Sequence, residues 1–395
     1  MDEIQPNESV LFWDGATGEV ENHQIEHPPL LAESASDDLA MIKAIVSITL
    51  GMTLLLATGY LVAVILSDGA ILLRPSEEAL ERHVGYNDLI HLSGSHDGSG
   101  VTVCIVDSGI NLDHSDFNGM ELKDWKDFIN GRTTPYDDNG HGTSMAGIIS
   151  ANGWLKGVAN DVDLLIAKAL GASGSGDDSV VAEAIDWCVT NGAHIISLSL
   201  GGAPDALPFL PGTGRSSGDA ANEAIDAGIY VVAAAGNDGG EDDDGDVSHP
   251  SSETAVISVG GSTLRGTSWS GSSEGDNNGR FLPLPVLLPR NDPHKKPEIV
   301  APGERVPVLT MDGGWGLADG TSASTVYVTG ALALLLEENP SLKANGSQGS
   351  ADNINLVKTW LMDSAVPKEG QSGHDDRFGY GLLQIEALLD QANSE

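Results

Sequence analysis

Three short polar segments of this 395-residue chain carry side chains that could together break an acyl bond. They are Asp107 in VCIVDSGI, His141 in DDNGHGTSMAGII and Ser322 in ADGTSAS. A hydroxyl is a weak nucleophile at neutral pH. It needs an imidazole to take its proton and a carboxylate to hold that imidazole in the right tautomer. Asp107 ends an apolar strand pattern and is followed by Ser-Gly; catalytic groups collect at the carboxyl ends of parallel strands. His141 lies between two glycines, in a turn leading into a helix pattern of small residues, and suits a general base that later returns its proton as an acid. Ser322 precedes the apolar run TVYVTGALALLL, which places it at the start of a buried helix. The helix dipole there favours developing negative charge by up to about 1 kcal/mol.

These residues need a scaffold, and the intervening sequence supplies one. VTVCIV, VDLLIAKAL, HIISLSL, IYVVAAA and AVISVGG read as short buried strands. Helical patterns such as DDSVVAEAIDWCVTNG and SGDAANEAIDAG lie between them. In the first, Val181, Ala184, Ile185 and Cys188 share one face. Gly192 and Gly228 stand where a left-handed C-cap would end each helix. Strand, helix, glycine, strand repeated in this way predicts right-handed crossovers and a mainly parallel sheet in a three-layer α/β/α domain.

The order Asp, His, Ser, each residue in a glycine-marked turn, resembles that of the subtilisin-like serine proteases, the subtilases, over residues 98–390. KKPEIVAPG at 295–303 and FGYGLLQIEAL near the carboxyl end extend the likeness. The resemblance implies a subtilisin-like domain and a serine endopeptidase acting on protein or peptide substrates through an acyl-enzyme, with no cofactor required for the chemistry. It implies that Asn237, in AAAGNDGG, completes the oxyanion hole. It also implies that Gly174, Ser175 and Gly176 pair with the substrate backbone, while Ser199, Leu200 and Gly201 form the opposite wall of the primary pocket. The pocket floor is then expected near residues 247–250. The chain departs from the family pattern at Ser144 and Met145 after the histidine motif. After the nucleophile it has Ala323, Ser324 and Val326 where methionine, alanine and proline are usual, so Ser324 is a possible second hydroxyl. A subtilase-fold peptide-binding module without catalysis is the competing reading.

Composition bears on the setting. The chain has 58 acidic and 19 basic side chains, a formal net charge of −39. Such repulsion should loosen a compact chain in dilute buffer. At molar salt, where the Debye length is about 3 Å, it is screened. The expectation is a protein of a halophilic organism. The lack of a basic patch argues against a nucleic-acid partner. The acidic run EDDDGD at 241–246 is a possible structural Ca²⁺ site, with a solvated loop as the simpler expectation. Residues 281–297, with five prolines, are expected to be an irregular surface insertion. His249 and His294 are read as loop histidines, and Cys104 and Cys188 as separate core fillers.

Residues 1–40 hold ten acidic residues and no Lys or Arg, and are expected to be a disordered tail, in which VLFWDGATGEVENHQI could form a hairpin. Residues 41–67 then read as a transmembrane helix, with an uncharged run of 23 residues from 44 to 66. That run spans about 34 Å as a helix, against a hydrocarbon core of about 30 Å. Residues 68–97 form a helical lead-in too short to hold a folded pro-domain. Lys43 before the span, against Arg74 and Arg82 after it, favours a cytoplasmic catalytic domain by charge counting. The family resemblance favours the outside, which is the side taken here for a single-pass protein.

Overall fold

The computed structural model describes residues 10–13, 20–23, 33–67, 74–202, 215–240, 246–275 and 290–394. The chain divides into two units, residues 1–68 and 69–395.

In the first unit, β1 (Val10–Trp13) and β2 (Val20–His23) pair antiparallel, as the turn-rich sequence between them suggested. They are followed by α1 (Glu33–Ser67), a single helix of 35 residues. It starts before residue 41, because a helix nucleated by a long apolar run extends into flanking residues at little cost. Its segment Leu39–Ala63 is long and apolar enough to cross a membrane, and is exposed throughout.

The second unit opens with α2 (Glu77–Leu89), capped by the Ser76 hydroxyl. The alternation then runs β3 (Thr102–Asp107), β4 (Asp124–Asp127), α3 (His141–Ser150), β5 (Asp163–Lys168), α4 (Asp178–Thr190), β6 (Ile195–Leu198), α5 (Ser217–Asp226), β7 (Tyr230–Ala234) and β8 (Ile257–Ser262). After these come β9 (Ile299–Pro302), the antiparallel pair β10 (Val306–Leu309) and β11 (Trp315–Ala318), and three helices: α6 (Thr321–Glu338), α7 (Ala351–Ser364) and α8 (Ile385–Ser394). The central sheet has the order β4-β5-β3-β6-β7-β8-β9, and every pairing is parallel. Gly192 and Gly228 have φ of +75° and +84°, as the C-caps of α4 and α5 require.

Helices cover both faces, as the side-chain period of a strand demands. Cys104 pairs with Ile196 and Ile105 with Ser197, so these two pairs point to opposite faces. On the Cys104 face lies α4, whose Cys188 is bonded to it. On the Ser197 face lies α6, whose Thr329 hydroxyl donates to Ser197 at 3.1 Å. The layers are therefore helix, sheet, helix.

The cysteines correct the sequence reading: Cys104 and Cys188 form a disulfide. Both were rightly placed in buried elements. The βαβ crossover then lays α4 over β3 and brings their Cα atoms to 5.8 Å, within bridging range.

KKPEIVAPG has a structural role the pattern did not reveal. Lys296, Glu298 and Lys358 are buried together, with ammonium nitrogens 2.9 and 2.6 Å from Glu298 Oε1. Glu298 Oε2 accepts the Ser258 N–H at 2.8 Å. Burial, only partly offset by Glu298, pushes Lys296 down to about 7 and also lowers Lys358. An unfolded lysine titrates near 10.4, so between about pH 7 and 10 the unfolded chain holds more protons and stability rises with pH. Lys296→Met should flatten that rise in urea melts taken across the window. Glu298→Gln, which removes the carboxylate that favours both ammonium forms and breaks the buried pair, should cost about 3–5 kcal/mol.

Candidate active site

Asp107 is the last residue of β3 and is fully buried. Its Oδ1 accepts the Ser108 N–H at 2.6 Å, and its two carboxylate oxygens lie 2.8 and 2.9 Å from His141 Nδ1. The Asp107 charge, working against desolvation, holds His141 above the ordinary imidazole range. Position drives this pairing. β3 ends at the carboxyl edge of the sheet, and α3 begins with His141 after Gly140, whose φ is +99°. A Cβ on Gly142 would meet Gly109 O at 2.1 Å, so the turn after Asp107 and the start of α3 approach each other only through glycine.

A group missed in the sequence holds this turn. Asp137 Oδ1 accepts from the Ser108 hydroxyl (2.9 Å), Asn139 N (3.0 Å) and Gly140 N (2.8 Å). Its Oδ2 accepts from Thr143 N (2.9 Å) and the Thr143 hydroxyl (2.7 Å). Burial alone would raise this carboxyl, but the hydrogen bonds outweigh it and the pKa falls. The available signal was an Asp two residues before an Asn-Gly turn, with a threonine six residues on.

Ser322 is the second residue of α6. Its hydroxyl donates to Ser199 O at 3.0 Å, and the Ser199 hydroxyl donates back to Ser322 O at 3.1 Å. The predicted wall residue is thus in direct contact with the predicted nucleophile. Asn237 follows β7. Its Oδ1 accepts the Thr321 N–H at 2.9 Å and the Thr321 hydroxyl at 3.0 Å, leaving the amide NH₂ as its donor end. Ser324 is excluded as a second nucleophile by its position: buried, it donates to Ala301 O and Pro302 O, both at 3.0 Å, on the side away from the solvent.

The two segments expected as edges follow β5 and β6. Residues 171–176 form a turn in which Gly171 N donates to Ser175 O and Gly174 N to Gly171 O, both at 2.9 Å. Asn139 Nδ2 donates to Ala172 O at 3.2 Å and ties this turn to the His141 loop. A Cβ on Gly176 would meet Ala169 O at 2.2 Å. On the other side, Ser199, Leu200 and Gly201 leave β6, and Gly202 exchanges two backbone hydrogen bonds with His249 (3.0 and 3.1 Å), next to the expected floor. His249 Nε2 accepts the Gly218 N–H, from the first turn of α5, at 3.2 Å. His294 lies in the described part of the proline-rich insertion, whose residues 281–289 are outside the described residues.

Residues 241–245 of the acidic run also lie outside the described residues. Asp246 is paired with Arg290 at 2.7 Å. Among the described residues, no group of three or more His, Cys, Asp or Glu side chains is arranged to hold a metal ion.

Comparison with known proteins bears on this arrangement. The model of the Subtilase family matches residues 98–381. Subtilisin Savinase of Lederbergia lenta is 34% identical over 293 residues, covering 73% of this chain and 91% of that protein. Alkaline elastase YaB of Bacillus sp. (strain YaB) is 31% identical over 293 residues, and the match covers 73% of this chain but 65% of that longer protein. Among solved structures, a cold adapted subtilisin-like serine proteinase superimposes with a TM-score of 0.56 at 27% identity, covering 74% of this chain and 91% of that one. The protease domain of PatA gives a TM-score of 0.60 at 24% identity, covering 76% and 98%, a likeness of fold. The sheet order, the helix-borne serine and these matches converge: the chain belongs to the Subtilase family of serine endopeptidases.

Proposed function

We propose that the chain is a membrane-anchored serine endopeptidase working through Asp107, His141 and Ser322. Ser322 Oγ bonds to the scissile carbonyl carbon while its proton passes to His141 Nε2. His141 gives that proton to the leaving amine, and water then hydrolyses the acyl-enzyme by the reverse sequence. Asp107 holds the imidazole tautomer and offsets the imidazolium charge. The Asn237 amide and the Ser322 N–H, on the first turn of α6 where N–H groups lack helical partners, receive the oxyanion. An extended peptide lies between residues 174–176 and 199–201, held by main-chain hydrogen bonds. The observation that carries this reading is the buried Asp107 carboxylate on His141 Nδ1 at 2.8 Å. The Ser322 hydroxyl, now on Ser199 O, must turn to the imidazole when substrate binds; catalytic hydrogen bonds often tighten only then.

A fluorophosphonate applied in molar KCl, followed by peptide mapping, tests the reading. An adduct on Ser322 is expected. Peptide binding without any adduct would instead identify a silent binding module. Asn237→Ala should keep some labelling and lower kcat by about 10²–10³-fold, a magnitude that comes from the equivalent change in subtilisin.

The setting completes the proposal. Residues 44–66, within α1, anchor the chain in the bilayer, and the peptidase unit lies outside the cell. The Cys104–Cys188 disulfide supports that side, because such bonds persist in oxidising compartments. Protease shaving of intact cells should remove the carboxyl-terminal unit and spare the amino-terminal tail; a protected peptidase unit would reverse the topology. The net charge of −39 supports adaptation to brine. The thermal midpoint of the protein in detergent should rise steeply from low to molar KCl, and an unchanged midpoint would count against that adaptation.

A further inference from the structure

Among the described residues, three lysines have side chains with no exposed surface, and one of these, Lys168, lies at the candidate site. It is the last residue of β5 and stands directly beside Asp107 in the parallel register. Its ammonium curls over the end of the sheet and uses all three donors. It gives hydrogen bonds to Ser108 O (2.6 Å), Leu170 O (2.8 Å) and Asp138 Oδ1 (2.6 Å). The Tyr136 ring closes one side, with its centroid 4.9 Å from Nζ. The three acceptors belong to three segments: the turn after Asp107, the strand end leading to residues 171–176, and the loop that delivers His141.

We propose that Lys168 is a positioning residue for the Asp107–His141 pair, its buried ammonium locking these three segments together and, with Asp138, balancing charge beside the imidazole. The proposal rests on the catalytic reading of Asp107, His141 and Ser322. A tetrahedral ammonium suits three converging oxygens, whereas the planar guanidinium of arginine offers its donors in a flat fork. The charges acting most directly on His141 are those of Asp107 on β3 and Asp137 on the preceding loop, and the ion pair of Lys168 with Asp138 lies between the same segments; Tyr136 is neutral. Removing Lys168 leaves Asp138 unbalanced and favours imidazolium. Removing the Asp138 charge leaves Lys168 unbalanced and disfavours it.

Opposite shifts follow, and loosening of the structure alone would not produce them. In Lys168→Met the acid limb of kcat/KM should move to higher pH, with kcat lowered about 10- to 100-fold by misplacement and KM little changed. In Asp138→Asn, at a partly exposed side chain, the limb should move to lower pH. Lys168→Met/Asp138→Asn should return it close to its original place. Lys168→Arg should keep the limb in place while recovering only part of kcat. His141 titration followed by NMR of the imidazole C2 proton reads the same shifts without turnover. It therefore separates failure of this proposal from failure of the catalytic reading, which fluorophosphonate labelling of the unmodified protein reports. Shifts of the same sign in both single variants, or none in either, would overturn the role assigned to Lys168.

Discussion

Ser322→Ala is expected to lower kcat by about 10⁶-fold, the magnitude seen when the nucleophile of subtilisin is removed. The reason is local. Ser322 and Ser199 exchange hydrogen bonds, while Ser324 is buried against β9 and donates to two carbonyl oxygens there. No neighbouring hydroxyl on α6 can therefore take over the attack. Covalent labelling by a fluorophosphonate should disappear, and the thermal midpoint should stay within a few degrees, because the loss is one hydroxyl at a helix start. Residual hydrolysis of about 10³–10⁴-fold over water should remain, supplied by the oxyanion donors and by substrate positioning. Persistent labelling with full turnover would remove Ser322 from the nucleophile's place.

Much of the scaffold behind this expectation was legible in the sequence. Five apolar runs became β3, β5, β6, β7 and β8, because strands buried on both faces must be almost wholly apolar. β4 was not legible: DWKD is a polar edge strand, defined by its pairing with β5 and not by its own pattern. β9, inside KKPEIVAPG, was quoted for its resemblance and not seen as a strand, since prolines flank and end it. The disulfide could not be read either. Cys104 and Cys188 are 84 residues apart, and only the crossover that lays α4 over β3 makes them neighbours.

The candidate site was legible where a single side chain carries the proposed role, and obscure where several backbone atoms converge. Asp107, His141, Ser322 and Asn237 each stand in a motif for which we propose a chemical role. Asp137 gathers five donors from four residues, and Lys168 gathers three acceptors from three segments. Neither convergence has a sequence period, because both depend on how two strand ends and one loop meet. The same holds for Lys296, Glu298 and Lys358, whose partners are carbonyl groups, the Ser258 N–H and one another. In a chain so poor in cations, burying three lysines places positive charge where bulk salt screens it least.

Asp107→Asn should lower kcat by about 10⁴-fold with little change in the backbone, the loss seen when a serine-protease triad carboxylate becomes an amide. The amide would occupy the same volume as the carboxylate but could present an N–H to Nδ1 of His141, stabilising the wrong tautomer and directing a proton instead of a lone pair at Ser322. The pH profile separates this from simple disruption. In the unmodified protein the Asp107 charge raises His141, so imidazolium persists to higher pH and kcat/KM falls as the solution is acidified through that raised value. Without the charge, His141 should titrate lower, and the acid limb should move to lower pH while the maximum collapses. Both changes are expected together from one substitution. A variant that loses activity with its acid limb unmoved would show that the buried carboxylate supports the fold without governing the imidazole.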